Sequence, residues 1–235
     1  MKLKSSTCET DGVCGMQATA EQYQHEWGGV SSAGQMIAML AGMRLSHSPV
    51  YTLTGRTMDG VRAQSVSMPG CLSDSVAEGR QKTLFILNAI RDFAVQQLPG
   101  YLYIDLSLRD FIALALDDLL AAVDRSTLPV QRLVIVLTGE PGDAVDRQVV
   151  MQCVATLREA GIQVGARLLS EGYMQLALIC LLKPQCLVLY ASDRALLPAR
   201  NIAGLLASLP RMTGELAPPV IADNFDTMVS GSCSM

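Results

Sequence analysis

Three aspartates and two arginines carry most of the chemistry this chain could perform. Asp105 follows the apolar run Tyr101–Ile104, and Asp223 and Asp226 lie at the polar end of another, Val220–Ala222. Three converging carboxylates would hold a divalent cation, because magnesium-, manganese- and calcium-type ions take hard oxygen ligands. Arg62 and Arg167 offer the opposite chemistry, planar forks that grip a carboxylate or a phosphate through two parallel hydrogen bonds. Pairing between these arginines and aspartates is the simpler reading, since it neutralises both charges without a metal. Glu140, within Gly139-Glu140-Pro141-Gly142, reads as a loop carboxylate, and that loop lacks the Lys-Ser/Thr of a phosphate-binding P-loop. His25 and His47 stand near no Ser or Cys arrangement suited to nucleophilic catalysis. Cys8 and Cys14, with His25 further on, match no standard zinc spacing, and the two cysteines read as loose thiols in a polar tail.

The elements that must position these residues alternate in type. Apolar runs of strand length occur at Pro49–Leu53, Gly60–Val66, Tyr101–Leu106, Arg132–Thr138, Ile162–Leu168, Cys186–Tyr190 and Val220–Phe225. Helical patterns fall between them near Ala77–Gln97, after Ser107, over Asp146–Ala160, at 172–182 and near Ala199–Leu209, with a short one at Met36–Met43. Ile86, Ile90 and Phe93 form the buried stripe of the first long helix, which Pro99-Gly100 stops. Phe111, Leu114, Leu119, Leu120 and Val123 form the apolar face of the helix that Ser107 caps. Gly161 suits the left-handed position after its helix, and segment 172–182 is apolar nearly all round, which predicts deep burial. Strands alternating with helices predict parallel βαβ units, and barrels of this kind place chemistry at the C-terminal strand ends.

Composition narrows the class. Half of the 235 residues are hydrophobic and 17% are charged, enough apolar side chain for a sizeable core. The net charge of −4 with scattered Lys and Arg argues against a nucleic-acid surface. Residues 1–33 are polar and aperiodic and read as a flexible arm without a secretory signal, leaving 34–235 as the domain. The longest apolar runs, Met36–Met43 and Met174–Leu182, are too short to span a bilayer, so no membrane partner is expected. The seven cysteines, with Cys153 and Cys180 in helical patterns and Cys186 opening a strand, suggest reduced thiols and a cytoplasmic location.

The order of segments resembles the EAL-domain family of cyclic di-GMP phosphodiesterases and receptors. Ser48-Pro49-Val50 is similar to the family's Gln-Pro-Ile, and Gly60-Val61-Arg62-Ala63-Gln64 stands where the family has Gly-Val-Glu-Ala-Leu. Tyr103-Ile104-Asp105-Leu106-Ser107 resembles its Val-Asn-Leu-Ser strand, and Leu133–Glu140 the segment ending Glu-Ile-Thr-Glu. Ile221-Ala222-Asp223-Asn224-Phe225-Asp226-Thr227 is similar to Ile-Ala-Glu-Gly-Val-Glu-Thr. The resemblance covers about Met36 to Thr227 and implies a TIM-type (β/α) barrel. Seven strand candidates and ten residues after Phe225 suggest that it is incomplete or modified at its C-terminal end.

The same resemblance implies hydrolysis with two divalent cations held by carboxylates and an Asn. Here the signature Glu position is Arg62, the Asn position Asp105, and the fourth-strand Glu position Val136. The paired Asp position falls on Arg167-Leu168 and the catalytic Lys position on Val188. A guanidinium about 4 Å from a +2 ion is unfavourable by roughly 8 kcal/mol at an effective dielectric near 20. The expectation is therefore a catalytically inactive EAL-like regulator without cofactors, acting on a regulatory protein partner or as a homodimer. On this reading cyclic di-GMP is not expected to bind. The alternatives are a non-hydrolysing receptor for that dinucleotide and an unrelated α/β enzyme.

Overall fold

A computed structural model describes residues 44–52, 57–67, 75–114, 116–138, 146–167, 179–190 and 218–223. Its strands are β1 (Arg44–Thr52), β2 (Met58–Ser67), β3 (Tyr101–Ser107), β4 (Leu133–Thr138), β5 (Gln163–Arg167), β6 (Cys186–Leu189) and β7 (Val220–Asp223). Its helices are α1 (Ser75–Val95), α2 (Leu108–Ile112), α3 (Leu116–Arg125) and α4 (Arg147–Glu159). Residues 179–182 are also helical. The chain divides into two compact units, one of residues 1–46 with 65–71, the other of 47–64 with 72–235. The described residues of the first, 44–46 and 65–67, are extended strand.

The seven strands close into a barrel in chain order. Neighbours from β2 to β7 are parallel, and β1 pairs with β7 antiparallel, so β1 alone runs against the others. Between β1 and β2, Thr52 N–H donates to the Thr57 carbonyl at 3.0 Å. The parallel connections need a crossover, usually helical, because the chain must return to the same end before the next strand begins. Described helices lie between β2 and β3, β3 and β4, β4 and β5, and β5 and β6. The C-terminal modification expected from the sequence concerns residues outside the described ones, as do the arm at 1–33 and the helices near 36–43 and 199–209.

Alternation along each strand separates two apolar layers. Val50, Tyr103, Val134, Val136, Cys186, Val188, Tyr190 and Ile221 form one buried cluster inside the barrel. Leu102, Ile104, Leu106, Leu133, Ile135, Leu137, Val164 and Ala166 are buried on the alternate positions, with helices packed against β3, β4 and β5. The stripe expected on α1 is buried at Ile86, Leu87, Ile90 and Phe93. Ser107 caps α2, its hydroxyl accepting from Asp110 N–H at 3.0 Å. Asp146 caps α4 in the same way through Gln148 N–H at 2.8 Å.

Three details differ from the sequence reading. The single helix expected after Ser107 is two, because the chain turns at Ala113–Leu114 while the apolar face continues through Phe111, Leu114, Leu119 and Val123. β1 begins five residues earlier than expected, at Arg44. Cys180 is exposed, although Ile179 and Leu182 beside it are buried, so that helix presents one face to solvent. Gly161, at φ 86°, does hold the left-handed position after α4.

Two arginines fasten connections with backbone bonds. Arg132 donates to the carbonyls of Gly100 at 2.6 Å and Leu98 at 2.7 Å, and its guanidinium stands 4.9 Å from the Phe93 ring centre. Arg158 donates to the carbonyls of Leu182 at 2.5 Å and Lys183 at 2.7 Å, satisfying the open C-terminal end of the 179–182 turn.

Gly60 fixes how closely β2 approaches β3. A Cβ there would overlap the Tyr101 carbonyl oxygen and stand 2.6 Å from its nitrogen, backbone atoms that cannot yield without breaking the Gly60–Tyr101 register. Gly60→Ala is expected to destabilise the fold by about 3 kcal/mol, the upper range for overpacking, measured as a lowered urea midpoint. An unchanged midpoint would show that the two strands can separate freely. A second test concerns His47, whose Nδ1 lies 3.5 Å from Asp92 while Nε2 is buried without a partner. Burial lowers its pKa below 6.5, against the smaller upward pull of Asp92. The unfolded chain therefore takes up a proton near pH 6.5 that the fold resists, so stability falls as pH drops through that value. Urea midpoints between pH 8 and 5 should decline less for His47→Gln than for the natural chain; equal declines would refute the assignment.

Candidate functional site

Strand register brings the residues singled out by the sequence to one interior face. Arg62 stands opposite Tyr103, Asp105 opposite Val136, and Val136 opposite Gly165. Arg167 stands opposite Val188, and Val188 opposite Ile221. Arg62 and Gln64, Tyr103 and Asp105, and Val188 and Tyr190 each lie two residues apart, so each pair shares a face. Asp223 holds the register position opposite Val50. Glu140, Leu168 and Asp226 lie outside the described residues.

Asp105 is the centre of the arrangement. Its Oδ2 accepts from Arg62 Nε at 2.5 Å, and its Oδ1 accepts a short bond from the Tyr190 hydroxyl on the far side of β4 and β5. The Arg62 guanidinium lies 3.5 Å from the Tyr190 ring centre, and the Arg167 guanidinium 5.0 Å from the same ring. With its amide turned to meet the donors, the Gln64 oxygen accepts from Arg62 Nη1 at 2.6 Å. One tyrosine thus contacts two cations through its ring and one anion through its hydroxyl. Burial, followed by the Asp105 charge, pushes the Tyr190 phenol well above its ordinary value, so it stays protonated and donates.

A second tyrosine–aspartate pair lies deeper. The Tyr103 hydroxyl donates a short bond to Asp59, and Tyr101 meets Tyr103 edge to face with ring centres 6.4 Å apart. Burial raises the Tyr103 phenol too, and it pushes the Cys186 thiol up to about 12 with Asp59 nearby. A thiol held protonated is no nucleophile at neutral pH, so Cys186 serves as packing.

The described donor set does not fit a pair of divalent cations. Both oxygens of Asp105 already accept hydrogen bonds, Val136 and Val188 are hydrocarbon, and Arg62 and Arg167 are cations. Among the described residues no group of three His, Cys, Asp or Glu converges on a metal position. The pairing of Arg62 with Asp105 follows the simpler of the two sequence readings. Tyr190 is not among the site residues read from the sequence, although its place two residues beyond Val188, just past the end of β6, is the available signal.

Comparison with solved structures places this geometry. The Bacillus subtilis YkuI protein, which has an EAL domain and was solved with c-di-GMP and calcium, matches with a TM-score of 0.59 and 13% identity. That match covers 77% of this chain and 49% of YkuI. Klebsiella pneumoniae BlrP1, in a manganese/c-di-GMP complex, matches with a TM-score of 0.59 and 15% identity over 76% of this chain and 48% of its own. The PaMucR phosphodiesterase, in complex with c-di-GMP, gives 0.60 and 17% over 76% and 83%. The chain has an EAL-like fold. It spans about half the length of the first two structures. No family model and no curated protein matches it.

These matches correct one expectation, that cyclic di-GMP is not expected to bind. EAL-like barrels of this shape hold the dinucleotide in their complexes. That expectation followed from the carboxylates expected to be missing, and groups that hold ions are not the groups that meet guanine edges. Among the described residues no helix is long and apolar enough to cross a membrane.

The Arg62–Asp105 pair is largely withdrawn from solvent, with side chains 13% and 20% exposed. Removing one partner leaves an uncompensated charge, whereas removing both does not. Arg62→Ala and Asp105→Ala are each expected to cost about 2 kcal/mol, less than for a fully buried pair because some solvent reaches both. The double variant should cost less than the sum by about 1–2 kcal/mol in a urea-unfolding cycle. Simple additivity would refute the coupling.

Proposed function

We propose that this chain is a cyclic di-GMP-related signalling protein of EAL-like fold that does not hydrolyse the dinucleotide and acts through a regulatory protein partner. The observation that carries the reading is the Asp105 carboxylate, engaged by Arg62 on one oxygen and Tyr190 on the other. A two-cation mechanism needs free carboxylate oxygens at the strand ends to hold the ions and generate hydroxide. At this mouth the described positions offer two guanidiniums, a spoken-for carboxylate and two valines instead. The output then rests on contact with another protein, the regulatory partner expected from the sequence. A cytoplasmic setting goes with this reading.

A second reading has its own support. The YkuI, BlrP1 and PaMucR structures were each solved with c-di-GMP. Arg62 and Arg167 around the Tyr190 ring are also groups that recognise phosphates and stack on bases. The chain would then be a non-hydrolysing receptor, its protein contact governed by the dinucleotide.

Incubation of the full chain with cyclic di-GMP and either manganese or magnesium decides the shared part of both readings. No linear or mononucleotide product above the buffer control is expected, with an active phosphodiesterase alongside. Metal-dependent turnover abolished by Asp105→Ala would sink them. Calorimetry with the same dinucleotide separates the two, micromolar or tighter binding selecting the receptor.

A further inference from the structure

We propose that Asp105 is a tethered anion that occupies Arg62 in competition with a phosphate-bearing ligand. The inference rests on the reading of the mouth as a site without a cation pair. Arg62 presents three recognition surfaces, and each is engaged from within the chain. Its Nε edge meets Asp105 Oδ2 at 2.5 Å, its Nη1 meets the Gln64 oxygen at 2.6 Å, and its face lies 3.5 Å from the Tyr190 ring centre. A carboxylate and a phosphodiester are both monoanions offering two oxygens, and a guanidinium fork accepts either. The Asp105 carboxylate thus sits where a phosphate oxygen would sit.

The competitor is held in place rather than merely nearby. Tyr190 reaches from the end of β6 to donate to Asp105 Oδ1, fixing the carboxylate that Arg62 grips. A ligand phosphate must displace an anion whose local concentration is set by covalent attachment, so apparent affinity is reduced by the fraction of chains in which Arg62 is engaged. Neutralising Asp105 without changing its shape removes the competitor and leaves the guanidinium, the tyrosine face and Gln64 in position. The ligand class is an organic or inorganic phosphate anion.

Calorimetric titration of the full chain with cyclic di-GMP, and separately with inorganic pyrophosphate, tests this. Asp105→Asn is expected to bind at least tenfold more tightly than the natural chain. Tyr190→Phe, which frees Asp105 but keeps the ring, should show a smaller gain. Combining Asp105→Asn with Arg62→Ala should abolish the gain. Tightening with both probes, or with cyclic di-GMP alone through added base contacts, supports the proposal. Unchanged affinity in folded Asp105→Asn and Tyr190→Phe chains overturns it, as does a gain that persists without Arg62. Should Asp105→Asn fail to fold, the Tyr190→Phe result decides alone. Hydrolysis of cyclic di-GMP by the natural chain would instead overturn the preceding reading, so the two failures are distinguishable.

Discussion

A guanidinium placed inside the mouth of a parallel barrel has to be neutralised by the barrel itself. Two unit charges 4 Å apart interact by about 4 kcal/mol at an effective dielectric near 20, and each loses hydration in return. The pair formed by Arg62 and Asp105 is therefore close to neutral in net stability, yet each half makes the other necessary. That mutual dependence organises the neighbourhood. Asp105 needs a second donor for its remaining oxygen and receives it from Tyr190; Arg62 needs its planar face and outer nitrogens covered and receives Tyr190 and Gln64. Arg167 then shares the same ring.

Register makes this network possible. β2, β3, β5 and β6 contribute one or two residues each, and a slip of one residue in any of them would turn its contribution to the helix-facing side. Gly60 and Gly165 hold the strands at close range: beside Gly165 an added Cβ would stand 2.8 Å from the Cys186 sulfur. The network and the packed cluster beneath it are thus two layers of one lattice, with Tyr103 and Asp59 below and Tyr190 and Asp105 above.

Much of this was legible in the sequence, for definite reasons. β3, β4, β5 and β6 are buried on both faces, and continuous apolar runs such as Leu133–Leu137 announce such strands without any partner being known. The caps at Ser107 and Asp146 are local contacts and were readable or nearly so. β1 was harder, because Arg44, Ser46 and Ser48 interrupt it and residues 45–49 are only half-buried. The break between α2 and α3 left no trace, since the apolar spacing carries on across it. The bond from Tyr190 to Asp105 joins residues 85 apart, and no periodicity encodes such a contact. Arg132 and Arg158 reach backbone carbonyls 24 to 34 residues away and were equally invisible.

A shared fold leaves the strand ends free to differ, for a simple physical reason. At 13–17% identity the barrel survives because its layers ask only for apolar side chains of suitable size at alternate positions. The strand ends obey no such averaging: one atom's charge decides whether a cation, a phosphate or an internal partner is accommodated. Exchanging a carboxylate for an arginine at such a position would leave the lattice intact and invert the field at the rim. Function in such a barrel is read from the rim alone, and the rim here is built around a cation supplied by the chain.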